Sequence, residues 1–419
     1  MGPFHHRDGA LYAEDVPLRR IAEAVGTPCY VYSAAAITER YRRYEAALSG
    51  FNARIYYSVK ANSNQAVVAL LGKLGAGADV VSVGEMYRAL KAGIAARDVV
   101  FAGVGKTRDE MAAALDAGIH QFNVESRGEL QALNEVALGK GKRAPVALRI
   151  NPDVDALTHA KISTGKAENK FGIDLAHAPE VYAEAAKLPG IEAQGLACHI
   201  GSQLLDIAPY KAAFGKLADL TRQLRASGLA VQRIDLGGGV GVAYKGEPTI
   251  STDSYVEAIA STVGNLGCAL EIEPGRSIVA EAGLLLSRVI NVKSGVSRKF
   301  VIVDAAMNDL IRPALYDAYH EIVPVDAPAD GAPVERMDIV GPICETGDQF
   351  AAQRPMPPVK AGDFVAFSTA GAYGAVMAST YNTRPLVPEV MVKGAEFAIV
   401  RPRPTYDAMI GQDIVPTWV

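Results

Sequence analysis

The amino-acid sequence predicts an α/β protein: a (β/α)₈ (TIM) barrel followed by a C-terminal antiparallel β-sandwich or β-barrel domain that also takes in the N-terminal strand. Between about residue 34 and residue 280, eight short apolar runs alternate with amphipathic helical segments, which is the pattern of a closed barrel. After about residue 280, strand-like runs between prolines and glycines replace the helical patterns. A doubly wound sheet is the alternative, but eight runs favour closure. We therefore expect an N-terminal segment (1–33) that packs with the β domain, the barrel (34–280) and the β domain (281–419).

The composition is that of an ordinary globular protein and disfavours several functional classes. The chain has 419 residues, of which 49% are hydrophobic and 21% charged, with a net charge of −4. This balance gives no basic footprint for nucleic acid or acidic lipid. The four cysteines are far apart and form no CxxC pair, which indicates reduced thiols rather than disulfides or a zinc site. Because we see no signal peptide and no membrane-spanning apolar run, we expect a cytoplasmic protein. We also expect no metal site.

The predicted elements follow one another in a regular order. A helix is predicted around Leu18–Ala24, where apolar residues share one face, and a strand is predicted at Cys29–Tyr32. The eight apolar runs expected to form the barrel are Ile55–Ser58, Asp79–Val83, Val99–Ala102, Gln121–Val124, Val146–Ile150, Gly195–His199, Arg233–Leu236 and Ala269–Glu273.

Local signals place helix starts in the barrel and strands and loops in the β domain. Capping boxes are predicted at Ser82–Glu85, Thr107–Glu110 and Ser126–Glu129. Two proline-containing segments, Pro324–Pro333 and Gln353–Pro358, are predicted to be loops. The strand-like runs of the β domain are Leu284–Lys293, Lys299–Asp304, Val334–Val340, Phe364–Ser368, Met391–Lys393 and Phe397–Val400.

Polar residues follow the predicted barrel strands, at the ends where barrels carry their chemistry. A lysine amine forms a Schiff base with an aldehyde cofactor. Pyridoxal phosphate, if it is that aldehyde, needs an anion site, a partner for its ring nitrogen and a group to stack on its ring. Taken singly, each residue also fits a structural role, such as a tight glycine turn or a Glu–Arg ion pair. In chain order the residues are Lys60, Asp79, Asn123, Asn151, His199, Gly237–Gly239, Glu273 and Arg276.

Two of these strand ends carry motifs suited to such a cofactor. The glycine run within Asp235–Gly241 lets backbone N–H groups approach an anion, and a helix start expected after it adds positive potential. In Glu273-Pro-Gly-Arg276, the carboxylate can keep a ring nitrogen protonated, and the arginine can bind a carboxylate or phosphate in a bidentate manner. His199 offers a flat ring for stacking, and Ser202 offers a donor to the phosphate.

The combined motifs resemble those of the fold-type III pyridoxal phosphate decarboxylases, from about residue 15 to residue 418. The motifs, in the family's order, are Tyr57–Asn62 with Lys60, Cys198–Gln203, Gly237–Gly239 and Glu273–Arg276. The resemblance implies an alanine-racemase-like barrel that binds pyridoxal phosphate and is joined to a β domain. Within this family the chain is most similar to the diaminopimelate decarboxylases, in the segments His159–Gly165, Lys170–Gly172, Asp309–Tyr316, Cys344–Asp348 and Gly371–Gly374.

The same resemblance implies roles for individual residues. Lys60 would carry the cofactor, His199 would stack on its ring, Glu273 would pair with its ring nitrogen and Cys344 would donate a proton after carbon dioxide leaves. Lys60 and Cys344 are thus the implied catalytic residues. The implied cofactor-binding residues are Lys60, Asp79, His199, Ser202, Gly238, Gly239, Glu273, Gly275, Arg276 and Tyr373. The implied substrate-binding residues are Arg276, Arg312, Tyr316, Glu345 and Tyr373.

The implied reaction is decarboxylation of meso-2,6-diaminopimelate to L-lysine and carbon dioxide, the last step of lysine biosynthesis. The resemblance also implies a homodimer, since in the family Cys344 and Glu345 reach into the partner's site. The far end of diaminopimelate carries both an amino group and a carboxylate, which Glu345 and Arg312 would bind. An unpaired arginine in a dry pocket would penalise ornithine, which has no far carboxylate.

Other functions remain open at the level of the sequence. One is an ornithine-, arginine- or carboxylated-polyamine-type decarboxylase on the same fold. A second is an amino acid racemase, although that chemistry favours an arginine rather than Glu273 at the ring nitrogen. The third is a non-catalytic protein that binds pyridoxal phosphate, which would have no need of Cys344, Arg312 and Tyr373 together.

Overall fold

The structure, a computed structural model, describes residues 2–156, 158, 164–165, 170–329 and 331–419. Residues 159–163 of the His159–Gly165 motif therefore lie outside the described residues. The chain divides into two compact units: a barrel unit, Thr38–Ile278, and a sheet unit formed by Met1–Ile37 and Val279–Val419.

The first residues form small elements that sequence patterns only partly predict. Strands β1, β2 and β3 form a three-stranded sheet in the order β1-β2-β3, which the sequence did not predict because strands this short carry too little alternation. The helix predicted near Leu18 is confirmed. The elements are β1 (Phe4–Arg7), β2 (Ala10–Ala13), β3 (Val16–Pro17), α1 (Leu18–Val25), β4 (Cys29–Ser33) and α2 (Ala34–Ala47).

The barrel predicted from the apolar runs is confirmed. Among the described residues, eight parallel strands close in the order β5-β6-β7-β8-β9-β11-β12-β13, because β13 pairs with β5 and β8 pairs with β9. The short strand β10 adds to β9. The strands are β5 (Ala53–Ser58), β6 (Gly77–Val80), β7 (Val99–Phe101), β8 (Gln121–Val124), β9 (Ala144–Asn151), β10 (Ile173–Asp174), β11 (Ile191–Ala197), β12 (Arg233–Asp235) and β13 (Ala269–Ile272).

Helix starts between these strands follow the predicted caps, with one difference in detail. Thr107 and Glu110 form a complete capping box. Ser82 and Ser126 accept the N3 backbone N–H, but their N3 glutamates accept the N–H of Val81 and Glu125, one residue before each cap. Since Ser82 caps α4, β6 ends at Val80, and the predicted run Asp79–Val83 extends too far. The helices are α3 (Gln65–Leu74), α4 (Val83–Lys91), α5 (Arg108–Ala117), α6 (Arg127–Gly139), α7 (Ala178–Ala185), α8 (Ala208–Ala226), α9 (Thr252–Thr262) and α10 (Arg276–Val279).

The sheet unit contains one large sheet that includes the N-terminal strand, as predicted. Strand β4 lies between β14 and β20 within the order β18-β17-β15-β14-β4-β20-β21, and β19 joins β14 to β16. The pairings β4–β20 and β15–β17 are parallel, so the sheet is mixed rather than wholly antiparallel. Its elements are β14 (Gly283–Ser294), β15 (Lys299–Val303), α11 (Arg312–Tyr316), β16 (Ile322–Pro324), β17 (Glu335–Val340), β18 (Gln349–Met356), β19 (Phe364–Phe367), β20 (Glu389–Lys393), β21 (Glu396–Arg401) and α12 (Tyr406–Ile410).

The loop predicted at Gln353–Pro358 is wrong for its first four residues. Residues up to Met356 belong to β18, where Pro355 stands opposite Arg336 of β17. Strand β18 is at the edge of the sheet, and an edge strand tolerates proline because one side needs no N–H donors. Pro324 likewise ends β16 rather than beginning a loop.

The sheet unit has its own hydrophobic core. Buried side chains from α1, β4, β14 and β20 pack together, among them Leu18, Val31, Leu284 and Val390. None of the helices in the described ranges is long and apolar enough to cross a membrane.

Candidate active site

A cavity of about 210 Å³ lies in the barrel unit at the carboxyl ends of the strands. This end of a barrel is where catalytic residues are carried. Four of the strand-end residues singled out from the sequence line this one cavity: Lys60, Asn123, His199 and Glu273. The other lining residues are Val81, Ala102, Gly103, Arg149, Thr164, Phe171, Ala197, Cys198 and Asp235.

Lys60 is placed by the residues just after β5. The strand ends at Ser58, and Lys60 lies on a single turn of 3₁₀ helix, Val59–Ala61. Its Nζ lies 2.7 Å from Asp79 Oδ2, and Ser58 Oγ donates to the same oxygen at 2.5 Å. The Lys60 side chain is 33% exposed, whereas Asp79 is fully buried. The Asp79 carboxylate therefore holds the Lys60 amine itself, at the wall of the cavity.

Glu273 follows β13 and is buried beside a second carboxyl group. Asp235, the last residue of β12, is bridged to Glu273 by the Asn123 amide, which donates to Asp235 Oδ2 at 2.7 Å and to Glu273 Oε1 at 3.4 Å. Burial and the neighbouring carboxyl of Asp235 raise the pKa of Glu273 well above its ordinary value. In the described ranges, no Lys or Arg nitrogen forms an ion pair with Glu273. A buried acid of this kind favours a cationic or N–H-bearing partner.

His199 is neutral in this environment. Burial, with the nearby charges of Arg149 and Lys60, lowers its pKa well below the ordinary value. Its Nδ1 accepts the backbone N–H of Gly238 at 3.2 Å, so the ring proton resides on Nε2. A neutral, fixed imidazole at the cavity wall can stack on an aromatic ring without adding charge.

The glycine run is required by the close approach of three backbone segments. A Cβ at Gly238 would lie 2.1 Å from the Glu273 carbonyl oxygen, and one at Gly239 would lie 2.2 Å from the Gly201 carbonyl oxygen. Gly239 also has a φ of +103°, a left-handed conformation that favours glycine. The helix start expected directly after these glycines is wrong, because α9 begins only at Thr252.

Arg276 forms a cluster that sequence reasoning found only in part. Its Nη2 donates to Ser202 Oγ at 3.1 Å, which brings two predicted residues together. Its Nη1 donates to Tyr244 Oη at 2.7 Å, and Tyr244 carried no signal in the sequence. Gly275, just before it, lies against β5, since a Cβ there would be 2.9 Å from those of Ser58 and Ala61.

Within the sheet unit, Arg312 is held by a histidine that the sequence did not single out. Arg312 begins α11 and is buried, and its Nη1 lies 2.8 Å from His320 Nε2. His320 Nδ1 lies 2.9 Å from the Ser368 carbonyl oxygen and must donate to it. His320 Nε2 is therefore the acceptor for Arg312. Tyr316, at the end of the same helix, is partly buried.

Cys344 and Glu345 lie on an exposed loop of the sheet unit. The buried carboxylate of Asp348 organises this loop by accepting the N–H groups of Ile343 and Met307, each at 2.7 Å. Cys344 is exposed, and Glu345 accepts a hydrogen bond from Tyr381 Oη at 3.1 Å. The loop is thus ordered by its base, while its tip presents a thiol and a carboxylate outward.

Tyr373 adopts a strained backbone in a loop fixed by two glycines. Its φ is +55°, which is unusual for a bulky residue and is often found at functional sites. A Cβ at Gly371 would lie 1.9 Å from the Val279 carbonyl oxygen, and one at Gly374 would lie 2.7 Å from Tyr30 Oη. The loop therefore holds Tyr373 in one conformation.

Comparison with known proteins agrees with the class that this fold and cavity define. Residues 34–280 match the family described as pyridoxal-dependent decarboxylase, pyridoxal binding domain. A closed parallel barrel with a lysine and a buried glutamate at its strand ends, joined in one chain to a sheet unit, is a pyridoxal-phosphate-dependent carboxy-lyase of this family.

Full-length relatives show to which branch of this family the chain belongs. The chain is 50% identical to the diaminopimelate decarboxylase of Zymomonas mobilis, covering 100% of both chains, and 50% identical to that of Pseudomonas aeruginosa, covering 99% of this chain and 100% of the relative. The crystal structure of diaminopimelate decarboxylase from M. jannaschii in complex with L-lysine matches with a TM-score of 0.93 at 38% identity, covering 99% and 98% of the two chains. The chain belongs to the diaminopimelate decarboxylase family.

Proposed function

We propose that this protein uses pyridoxal phosphate to decarboxylate meso-2,6-diaminopimelate, producing L-lysine and carbon dioxide. The observation that carries the proposal is the buried Glu273 in the cavity that also holds the amine of Lys60. A carboxylate at the ring nitrogen suits decarboxylation, because a protonated ring can accept an electron pair; a racemase favours an arginine there. The Zymomonas and Pseudomonas relatives, both diaminopimelate decarboxylases, support the choice of substrate.

The residues of the barrel unit fit pyridoxal phosphate chemically. Asp79 Oδ1 is buried without a hydrogen-bond partner, and no Lys or Arg nitrogen is in ion-pair contact with Glu273 or Asp235, both within the part of the chain that the structure describes. Asp235 and Glu273 both line the cavity, so they make this part of its wall acidic, which suits a cationic ring nitrogen. Lys60 would hold the cofactor through its amine, Glu273 would accept from the ring nitrogen and His199 would stack on the ring. Ser202, Gly238, Gly239, Gly275 and Arg276 would bind the phosphate, and Tyr373 would lie beside cofactor and substrate.

The chain's own residues would control charge and protons during the reaction. When bound, pyridoxal phosphate supplies an electron-withdrawing ring that takes up the electron pair left as the carbon–carboxylate bond breaks. Glu273 would remain ionised opposite the ring nitrogen and so keep that nitrogen protonated. The neutral His199 would cover the ring without competing for its proton. Cys344 would then deliver a proton from its thiol to the carbon that has lost carbon dioxide.

The far end of the substrate needs groups of both charges. Arg312 and Arg276 would bind the far carboxylate with Tyr316, and Glu345 would bind the far amino group. The hydrogen bond to His320 fixes the Arg312 guanidinium, so less entropy is lost when it binds a carboxylate. A substrate with a bare ammonium at this end would place a like charge against the Arg312 guanidinium, which disfavours ornithine.

We also propose a cytoplasmic homodimer in which each subunit completes the site of the other. The exposed tip with Cys344 and Glu345 supports this arrangement, because a proton-donating thiol must be enclosed with the substrate to act on it. The barrel unit would then bind the cofactor, and the sheet unit would supply the substrate-binding and proton-donating groups.

The test is carbon dioxide release from the purified protein with added pyridoxal phosphate, with meso-diaminopimelate and ornithine offered separately. We expect release from diaminopimelate only, with equimolar L-lysine, and none from a Lys60→Ala variant. Release from ornithine alone would contradict the roles of Arg312 and Tyr316, although the chemistry at Lys60 would stand. Interconversion of stereoisomers without carbon dioxide would instead indicate a racemase.

A further inference from the structure

A continuous chain of polar side chains crosses the interior of the barrel and ends at Glu273. Buried polar groups are costly unless they are hydrogen-bonded, so a chain of this length inside a hydrophobic barrel needs an explanation. It connects residues that are as many as 151 positions apart in the sequence. Its members, in spatial order, are Arg233, His120, Glu271, Gln121, Asn123, Asp235 and Glu273.

The end of this chain that is farther from Glu273 contains basic side chains. His120 Nε2 lies 2.7 Å from Glu271 Oε1 and 3.0 Å from Arg233 Nη1. The Gln121 amide donates to Glu271 Oε2 at 3.1 Å and to Asn123 Oδ1 at 2.9 Å. Glu271 therefore has polar and basic partners of its own, and Gln121 fixes the orientation of Asn123.

The end near the cavity is not compensated in this way. Asp235 accepts the Gly237 N–H at 2.9 Å and the Asn123 amide at 2.7 Å, and the same amide lies 3.4 Å from Glu273 Oε1. Within the described residues, no Lys or Arg nitrogen forms an ion pair with Asp235. Two buried carboxyl groups in contact cannot easily both be ionised unless a cation approaches them.

We propose that Asp235 is a positioning residue that acts through Glu273, with Asn123 bridging the two, to keep the ring nitrogen of the cofactor protonated. The inference rests on the proposed function and extends it to a residue that does not itself touch the ring. The two carboxyls act as one acidic pair, whose combined potential holds the ring nitrogen's proton more firmly than a lone glutamate does.

The sign of the effect follows from the charges around the pair. Burial raises the pKa of Asp235, and Glu271 raises it further, so ionisation of both carboxyls is unfavourable unless a cation lies beside them. A protonated ring nitrogen would supply that cation, and each carboxyl would then favour the protonated ring. Removal of the Asp235 carboxyl leaves less negative potential, so the nitrogen should lose its proton at lower pH. The other titratable groups that influence the pair are Lys60, Asp79, Cys198, Tyr255 and Glu271.

The test compares ring protonation in the parent and in Asp235 variants loaded with pyridoxal phosphate labelled with ¹⁵N in the ring. Nuclear magnetic resonance reports whether the nitrogen carries a proton as the pH is raised. Asp235→Asn keeps the side-chain shape and the acceptor for Gly237, but its amide faces the Asn123 amide. Asp235→Ser avoids that donor–donor contact and is the second variant in case the first does not fold.

Both Asp235 variants should lose the ring proton at a pH about one unit lower than the parent, and kcat should fall about tenfold while the cofactor bound per chain stays at the parent level. Asp338→Asn is the matched control: Asp338 is also a fully buried aspartate, but it lies on β17 of the sheet unit, so its replacement should leave the ring signal unchanged. A parent-like midpoint in both Asp235 variants overturns the inference. A parent protein that binds no labelled cofactor overturns the proposed function as well, which separates the two failures.

Discussion

Replacement of Gly238 by alanine tests whether the glycine run is required by the architecture around the cavity. The φ of Gly238 is not in the left-handed region, so the effect is steric and not conformational. A Cβ there would lie 2.1 Å from the Glu273 carbonyl oxygen and 2.9 Å from its carbonyl carbon. Ordinary contacts of this kind are longer than 3 Å, so backbone must move away from backbone.

The movement would affect both residues that face the cofactor. Gly238 donates its N–H to His199 at 3.2 Å, and its carbonyl accepts from Tyr210 at 3.1 Å, while the clash pushes on the backbone of Glu273. Overpacking of this kind lowers the free energy of unfolding by about 1–3 kcal/mol. Because the clash is between backbone atoms, we expect a value near the upper limit. If the strain falls on the cofactor-bound state, about 3 kcal/mol corresponds to a loss of affinity of roughly a hundredfold.

The assay is a titration of the purified variant with pyridoxal phosphate, followed by visible absorbance, together with thermal unfolding. Gly215→Ala is the matched control, because Gly215 lies within α8 with open space at its Cβ position. That control should raise stability by about 0.5–1 kcal/mol and leave cofactor affinity unchanged. Parent-like affinity and unfolding temperature for Gly238→Ala would refute the steric argument.

Two further substitutions separate chemistry from folding. Cys344→Ala removes an exposed thiol, so cofactor binding and stability should be unchanged while kcat falls by about a hundredfold or more; steady-state rates near those of the parent would remove the proton-donor role. Lys106→Met removes a buried amine that donates at 2.7 Å to each of Gly103 O, Asn123 O and Glu129 Oε1. Because Glu129 would be left buried without its cation, the free energy of unfolding in urea should fall by about 3–5 kcal/mol, and an unchanged transition would contradict that assignment.

The barrel was predictable because its strands are buried and apolar, and each is followed by a polar break. The same logic located Lys60, His199 and Glu273, which do line one cavity. The predicted run Asp79–Val83 is too long at its carboxyl end, because apolar content alone does not show that the strand ends before the helix cap at Ser82. In the sheet unit, the proline at position 355 predicts a loop, but an edge strand accommodates this proline.

The partners of the site residues could not be found from local sequence. Tyr244 is 32 positions from Arg276, Asn123 is 112 positions from Asp235, and both contacts depend on which strand ends the closed barrel brings together. His320 is only eight positions from Arg312, yet its tautomer is fixed by Ser368, 48 positions further on. Sequence patterns indicate which residues are unusual, whereas the fold decides which of them are neighbours.

The distribution of charge across the barrel interior links the fold to the proposed chemistry. Glu271 and Glu273 are two residues apart at the end of β13, yet Glu271 contacts His120 and Glu273 contacts another carboxyl. Both acids are buried, so the difference arises from the neighbours that the ends of β8 and β12 supply. A barrel with basic partners beside both acids would offer no acidic potential to a ring nitrogen. The uncompensated pair at the cavity is therefore better explained by the needs of a bound cofactor than by the needs of folding.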